Sequence, residues 1–303
     1  MLSRIKNSLA FRSGSIYKKI LDTLPLPKVV AKPELPLTFL ALSGANHLSF
    51  LQQSLYSLYQ AWSSLPKLQV VSDGTISVSE LEQALKWWPG EKTIHLPEYF
   101  IEYHRSLGRE SLGKYASNNV MGLKLAAVIK AGSEGATLYC DTDILWFRNL
   151  PNLTSESGSN SKVTLKMSED FQPAYDHQLA ESKLKHLYTP PFFCAGLAFI
   201  DGKLLEELNL EDLLIAASVK ANHFTEQTIL AESNYRLGGA FWSREKIACF
   251  VEDQYSLTPS YLQEKWIARH YVGPVRHIYW RDALAIRLGF KQKQLEEVIN
   301  SNV

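Results

Sequence analysis

Asp141 and Asp143 stand one residue apart, directly after the short run Thr137–Cys140 (TLYC) and directly before Ile144-Leu145-Trp146-Phe147. Where a strand breaks, two carboxylates so spaced can converge on one hard divalent cation. Mg²⁺ or Mn²⁺ takes such oxygens and leaves coordination positions for phosphate oxygens. A cation held there neutralises a diphosphate and makes it a leaving group. Aspartate is also a common turn former. What points to metal binding is the setting of the pair between two apolar runs.

Two more apolar runs end in polar turns. Leu37–Leu42 (LTFLAL) stops at Ser43-Gly44, and Leu68–Val71 (LQVV) stops at Ser72-Asp73-Gly74. Leu48, Leu51, Leu55, Leu58, Tyr59 and Trp62 recur at helical spacing between them. Further along, the pattern predicts a helix over Ser77–Leu85, a strand over Thr93–Leu96 and a helix over Asn118–Ala131 stopped by Gly132. Strands are expected at Val163–Met167 and Ala195–Ile200, and helices at Leu204–Ser218 and Thr225–Glu232. Alternating strands and helices predict an α/β chain with a mostly parallel sheet flanked by helices. Ligands of such sheets bind beyond the carboxyl ends of the strands. Ser43, Asp73, Asp141 and Asp143 are therefore expected at one site, with Asp73 toward a nucleotide base or ribose.

Thr137 to Phe147 resembles the DxD segment of GT-A-fold, nucleotide-sugar-dependent glycosyltransferases of the glycogenin and bacterial galactosyltransferase kind. Other segments follow in that family's order. Gly122-Leu123-Lys124-Leu125 falls where the family carries a basic residue for the donor. Phe193-Cys194-Ala195-Gly196-Leu197 resembles its Asn-Ala-Gly strand, and Glu226-Gln227 resembles its Asp-Gln pair. His270 to Arg276 (HYVGPVR) resembles its His-Phe-x-Gly-x-x-Lys segment.

The resemblance covers Leu37 to Trp280 and implies a GT-A-like, Rossmann-type domain that transfers a sugar from a nucleotide-diphosphate donor, UDP-linked, with Mn²⁺ or Mg²⁺. It implies Asp141, Asp143 and His270 as metal ligands and Arg276 on the diphosphate. Ser43, Asp73, Lys124, Gln227 and Gly273 join Arg276 at the donor, and Glu226 joins Asp141, Asp143 and Arg276 in catalysis. It leans towards retention of stereochemistry. Cys194, Glu226 and Arg276 replace the family's Asn, Asp and Lys. The acceptor is expected to be a carbohydrate or lipid-linked, chosen by loops around Ile101–Tyr115 and Gln172–Pro191. Trp87, Trp88, Tyr99, Phe100 and Tyr103 could offer sugar rings a platform, or belong to the core.

Composition bounds these readings. Across 303 residues, 46 % are apolar and 21 % charged, as in a globular protein with a sizeable core. The 32 Lys and Arg against 31 Asp and Glu give no reason to expect nucleic acid. No apolar stretch is long enough for a membrane helix. Cys140, Cys194 and Cys249 lie among apolar residues and read as buried free thiols of a cytoplasmic protein. No signal peptide is visible, so the sequon at Asn152 is expected to stay unused. Residues 1–32 hold seven basic residues and one acid, Asp22, whereas the rest holds 25 basic and 30 acidic. Ile16, Tyr17, Ile20, Leu21 and Leu24 recur at helical spacing after Ser15, a candidate cap. Residues 1–36 thus read as a basic amphipathic arm and Pro-rich linker, 37–290 as the catalytic domain and 291–303 as a tail. The arm is either docked on the body or laid on anionic lipid at the inner face of a membrane.

Two other functions compete. A non-catalytic nucleotide-sugar-binding protein of the same fold fits the replacements at Cys194 and Glu226. A haloacid-dehalogenase-like phosphatase also puts Asp-x-Asp after a strand, but it needs a later acidic segment that is missing here.

Overall fold

The computed structural model describes residues 2–25, 28–150, 162–179 and 184–291. Asn152, most of the Ser155–Lys162 patch and the tail from residue 292 lie outside the described residues. The strands are β1 (Glu34–Ser43), β2 (Leu65–Ser72), β3 (Lys92–His95), β4 (Thr137–Cys140), β5 (Ile144–Trp146), β6 (Thr164–Asp170), β7 (Phe192–Asp201), β8 (Phe241–Trp242), β9 (Ile247–Ala248) and β10 (Ala268–His270). The helices are α1 (Leu2–Thr23), α2 (Leu48–Ala61), α3 (Val78–Ala84), α4 (Pro97–Ser106), α5 (Glu110–Asn118), α6 (Val120–Glu134), α7 (Leu204–Glu207), α8 (Glu211–Val219), α9 (Thr225–Arg236) and α10 (Arg276–Arg287).

Seven strands form one sheet in the order β3-β2-β1-β4-β7-β6-β8. β3, β2, β1 and β4 run parallel, β7 is antiparallel to both neighbours, and β6 and β8 are parallel. The expected mostly parallel sheet flanked by helices is present. Alternation along β1 explains its unbroken apolar run. Leu37, Phe39 and Ala41 enter one core with Leu55, Trp146 and Leu197, while Leu40 enters another with Leu125, Ala198 and Ile229. The reversal at β7 left no mark on the sequence, because a strand buried on both faces reads the same in either direction.

A second sheet, β5-β10-β9, is built from strands of two or three residues. β10 pairs antiparallel with β5, setting His270 opposite Ile144. Since β5 starts one residue after Asp143, this pairing delivers the C-terminal segment to the Asp-x-Asp turn.

Some expected boundaries are corrected. α6 does not stop at Gly132 but runs to Glu134, with Gly135 beyond it at φ +149°. Gly132 lies inside the helix, and a Cβ there would meet Ile200 of β7 at 2.7 Å, so glycine lets α6 pack closely on the sheet. The single helix expected over Leu204–Ser218 is broken in two. Asn209 Oδ1 accepts the Glu211 N–H at 3.2 Å and so starts α8 afresh. Ser15 caps nothing: it sits inside α1, where its hydroxyl donates to the Arg12 carbonyl. All three cysteines are buried free thiols.

α1 packs along α10. Leu21 joins Val275, Ile278 and Tyr279 in a third core, and Phe11 stacks on His277 at 4.1 Å. A Cβ on Gly14 would meet the His277 carbonyl at 2.6 Å, so the two helices touch backbone to backbone beside Arg276. The opposite face of α1 leaves Leu9, Ile16 and Ile20 exposed, with exposed Arg12 and Lys19 along one flank.

Candidate active site

β1, β2 and β4 end at the same edge of the large sheet, because all three are parallel and in register. The Asp73 N–H donates to the Ser43 carbonyl at 3.0 Å. Gly44 follows, where a Cβ would collide with the Asp73 carboxylate at 1.9 Å, so glycine leaves that carboxylate its place between the two strand ends. Asp73 turns its carboxylate onto Thr75, accepting from its N–H at 2.8 Å and its hydroxyl at 2.6 Å. Ser43 is fully buried.

The Asp141 N–H donates to the Gly196 carbonyl at 2.7 Å, anchoring the turn on β7. Its Oδ1 accepts from the Tyr139 hydroxyl at 2.5 Å and lies 3.1 Å from Lys124 Nζ. Asp143 is buried. Its Oδ1 is 3.2 Å from His270 Nε2, and its Oδ2 accepts from Arg276 Nε at 2.8 Å. Burial disfavours the Asp143 charge, but His270 and Arg276 outweigh it and hold the carboxyl at about 2. His270 Nε2 lies 3.8 Å from Asp141 Oδ2. One ligand atom from each of Asp141, Asp143 and His270 falls within 4.8 Å of the others.

That donor set fits a hard divalent cation with imidazole tolerance, such as Mn²⁺. The cradle for the imidazole is built in. A Cβ on Gly196 would meet the His270 ring at 2.3 Å, so the ring lies flat against β7 only because position 196 is glycine.

Lys124 is buried on α6 and bridges two carboxylates, at 3.1 Å from Asp141 Oδ1 and 3.1 Å from Glu226 Oε1. Burial works against its ammonium, yet Asp141 and Glu226 hold its pKa above the usual lysine value. Burial pushes the Glu226 carboxyl up to about 7, against the pull of Lys124. Glu226 sits in the first turn of α9. Beside it, the Gln227 amide is already engaged, accepting from the Ala195 N–H at 3.1 Å and donating to the Ala174 carbonyl at 2.8 Å. Gly273 lies in a short 3₁₀ turn with open space where a side chain would be. Arg276 opens α10 with its side chain half exposed.

Asp141, Asp143, His270, Arg276, Lys124 and Glu226 thus form one connected cluster, and Ser43 and Asp73 line the same sheet edge. The aromatic segment is divided. Trp88 and Phe100 are core, and Tyr99 and Tyr103 face the Lys130 ammonium at 4.6 and 4.8 Å. Sequence reasoning missed the Tyr139 hydroxyl, whose place on β4 two residues before Asp141 was the available signal. It also missed a thiol pair beneath His270, for which the chain carries no local signal.

No protein-family profile and no curated protein sequence matches the chain. Solved structures do. The apo form of the bifunctional glycosyltransferase WbbM superposes with a TM-score of 0.51 at 13 % identity, over 86 % of this chain and 51 % of that one. The chain therefore spans about half of WbbM. The galactosyltransferase LgtC, solved with donor and acceptor sugar analogues, gives 0.49 at 15 % identity, over 82 % and 95 %. Glucosyl-3-phosphoglycerate synthase from Mycobacterium tuberculosis, solved with Mn²⁺ and UDP, gives 0.44 at 14 % identity, over 87 % of each chain. The fold of this chain is GT-A-like.

Proposed function

We propose that the chain is a metal-dependent glycosyltransferase that moves a hexose from a UDP-linked donor to a carbohydrate or lipid-linked acceptor. The observation that carries this reading is the meeting of Asp141, Asp143 and His270 with Arg276 at the carboxyl edge of a GT-A-like sheet. Asp141, Asp143 and His270 Nε2 would hold Mn²⁺ or Mg²⁺, and the cation supplies charge neutralisation for the diphosphate.

The protein's own groups do the rest. Arg276 is tied to Asp143 yet half exposed, so its guanidinium can turn to the departing diphosphate and stabilise the charge that develops there. Lys124 keeps Asp141 oriented, and the Tyr139 hydroxyl fixes the same oxygen. Asp73 and the Ser43-Gly44 turn border the place for the nucleoside. Glu226 is the buried carboxyl whose protonation is balanced near neutrality, as suits a group facing sugar hydroxyls.

Mn²⁺-dependent hydrolysis of a panel of nucleotide sugars without acceptor tests the reading. Cleavage of a UDP-sugar that stops on chelation supports it. Tight metal-dependent binding with no cleavage favours the non-catalytic sugar-nucleotide binder instead.

The proposal extends to place. Among the described residues no helix is long and apolar enough to cross a membrane. The exposed Leu9, Ile16 and Ile20 row with Arg12 and Lys19 beside it, on an arm of opposite charge to the body, suits the anionic cytoplasmic face of a bilayer. Ile16→Glu with Ile20→Glu should abolish sedimentation with anionic vesicles at low salt and leave donor hydrolysis unchanged. Full-length protein that ignores such vesicles removes the membrane contact.

A further inference from the structure

His270 has a second face. Its Nε2 looks to Asp143, while its Nδ1 lies 3.4 Å from Cys194 Sγ. Cys249 completes a group with them: the two sulfurs and a ring nitrogen fall within 4.8 Å of one another, and all three residues are buried. Asp170 Oδ1 stands 3.9 Å from Cys249 Sγ and also accepts the Phe171 N–H at 2.8 Å. These groups come from β6, β7, the turn after β9 and the end of β10. Metal–sulfur and metal–nitrogen bonds of ordinary zinc length give a tetrahedral edge of about 3.6 Å, close to the Cys194–His270 spacing.

We infer that Cys194, Cys249 and His270 Nδ1 form a second cation site, selective for a thiophilic divalent metal of the zinc class, whose occupation denies the imidazole to a hard cation at Asp141 and Asp143. Thiolates and imidazole favour such metals, whereas the carboxylate pair above them favours Mn²⁺ or Mg²⁺. Binding releases the two thiol protons to solvent. The exclusion follows from the imidazole. A neutral ring has one lone pair and one N–H. Metal on Nδ1 puts the proton on Nε2, which then donates to Asp143 and offers no lone pair to a second cation. A hard cation on Nε2 leaves the proton on Nδ1, where it donates to Cys194 Sγ.

The exclusion rests on the proposed hard-cation site, whereas the thiolate site stands without it. Cd²⁺ alone, added to the full-length protein, should raise a thiolate-to-metal ultraviolet band saturating at one equivalent. Cys249→Ser and Cys249→Ala should each lose most of that band. Free Mn²⁺ followed by electron paramagnetic resonance should show its binding weakened about tenfold or more by Cd²⁺ in the wild type and unaffected in either variant. No band in the folded wild type, or a band that persists undiminished in both variants, overturns the site. A band with undiminished Mn²⁺ binding overturns the exclusion. Absence of Mn²⁺ binding in metal-free wild type, with the Cd²⁺ band present, sinks the proposed function and leaves the thiolate site standing.

Discussion

The two sheets contribute to the site in different ways. The large sheet supplies Ser43, Asp73 and Asp141 from the carboxyl ends of three parallel strands. The small sheet supplies His270 from a three-residue strand, and Arg276 follows a few residues later. One half of the site rests on long buried strands between helices, the other on a short antiparallel pairing with β5. Asp143 is the hinge between them. Its carbonyl accepts the Tyr271 N–H at 2.9 Å, and its carboxylate takes both His270 and Arg276.

Asp143→Ala should have the largest effect, because it removes the group on which both halves converge. Donor hydrolysis should fall to background and Mn²⁺-dependent nucleotide affinity should vanish. Asp141→Ala should do nearly the same from the large-sheet side alone. Unchanged metal-dependent affinity by calorimetry in both variants would refute the metal assignment.

Gly196→Ala asks whether the small sheet's ligand depends on the large sheet's surface. The added methyl meets the His270 ring at 2.3 Å and displaces it. Mn²⁺ affinity should drop about 10- to 100-fold, the usual cost of disturbing a group that orients a ligand. Wild-type affinity in this variant would mean that His270 is no ligand.

Arg276→Ala should lower donor hydrolysis about tenfold to a hundredfold, the size expected when a charge-assisted contact to phosphate is lost from the transition state. Arg276→Lys should keep part of the activity, since it preserves the charge but not the forked geometry. Equal rates in wild type and the alanine variant take Arg276 out of the site.

Glu226→Gln comes last because it reads out in stability. The free carboxyl titrates near 4.5 and the folded one at about 7. Between these values the folded chain keeps a proton that the unfolded chain has lost. Wild-type stability therefore falls as pH rises through that window, and the glutamine variant has no such slope. In metal-free protein the variant should gain on the wild type from pH 4.5 to 7, by on the order of 3 kcal/mol at most. A pH-independent difference in thermal melts would mean that Glu226 is ionised throughout.

Legibility in the sequence followed the same division between sheets. The alternation around β1, β2 and β4 was plain because each strand is an apolar run closed by a polar turn. The Asp-x-Asp pair was plain because its two members are neighbours. β8, β9 and β10 escaped, since two or three residues carry no periodicity. His270 and Arg276 came from resemblance alone, and nothing near them in the chain marks them as partners of Asp143.

Local chemistry was thus determined by the sequence itself: the α/β alternation, the carboxylate pair at a strand end, the free thiols and the basic arm. These depend on interactions between near neighbours, so composition and spacing express them. Which of these groups meet was decided only by tertiary structure. The reversal of β7, the pairing of β10 with β5, the glycine at 196 that admits the His270 ring and the thiol pair behind that ring join residues far apart in the chain. Such contacts follow from packing in three dimensions, and a linear pattern holds no record of them.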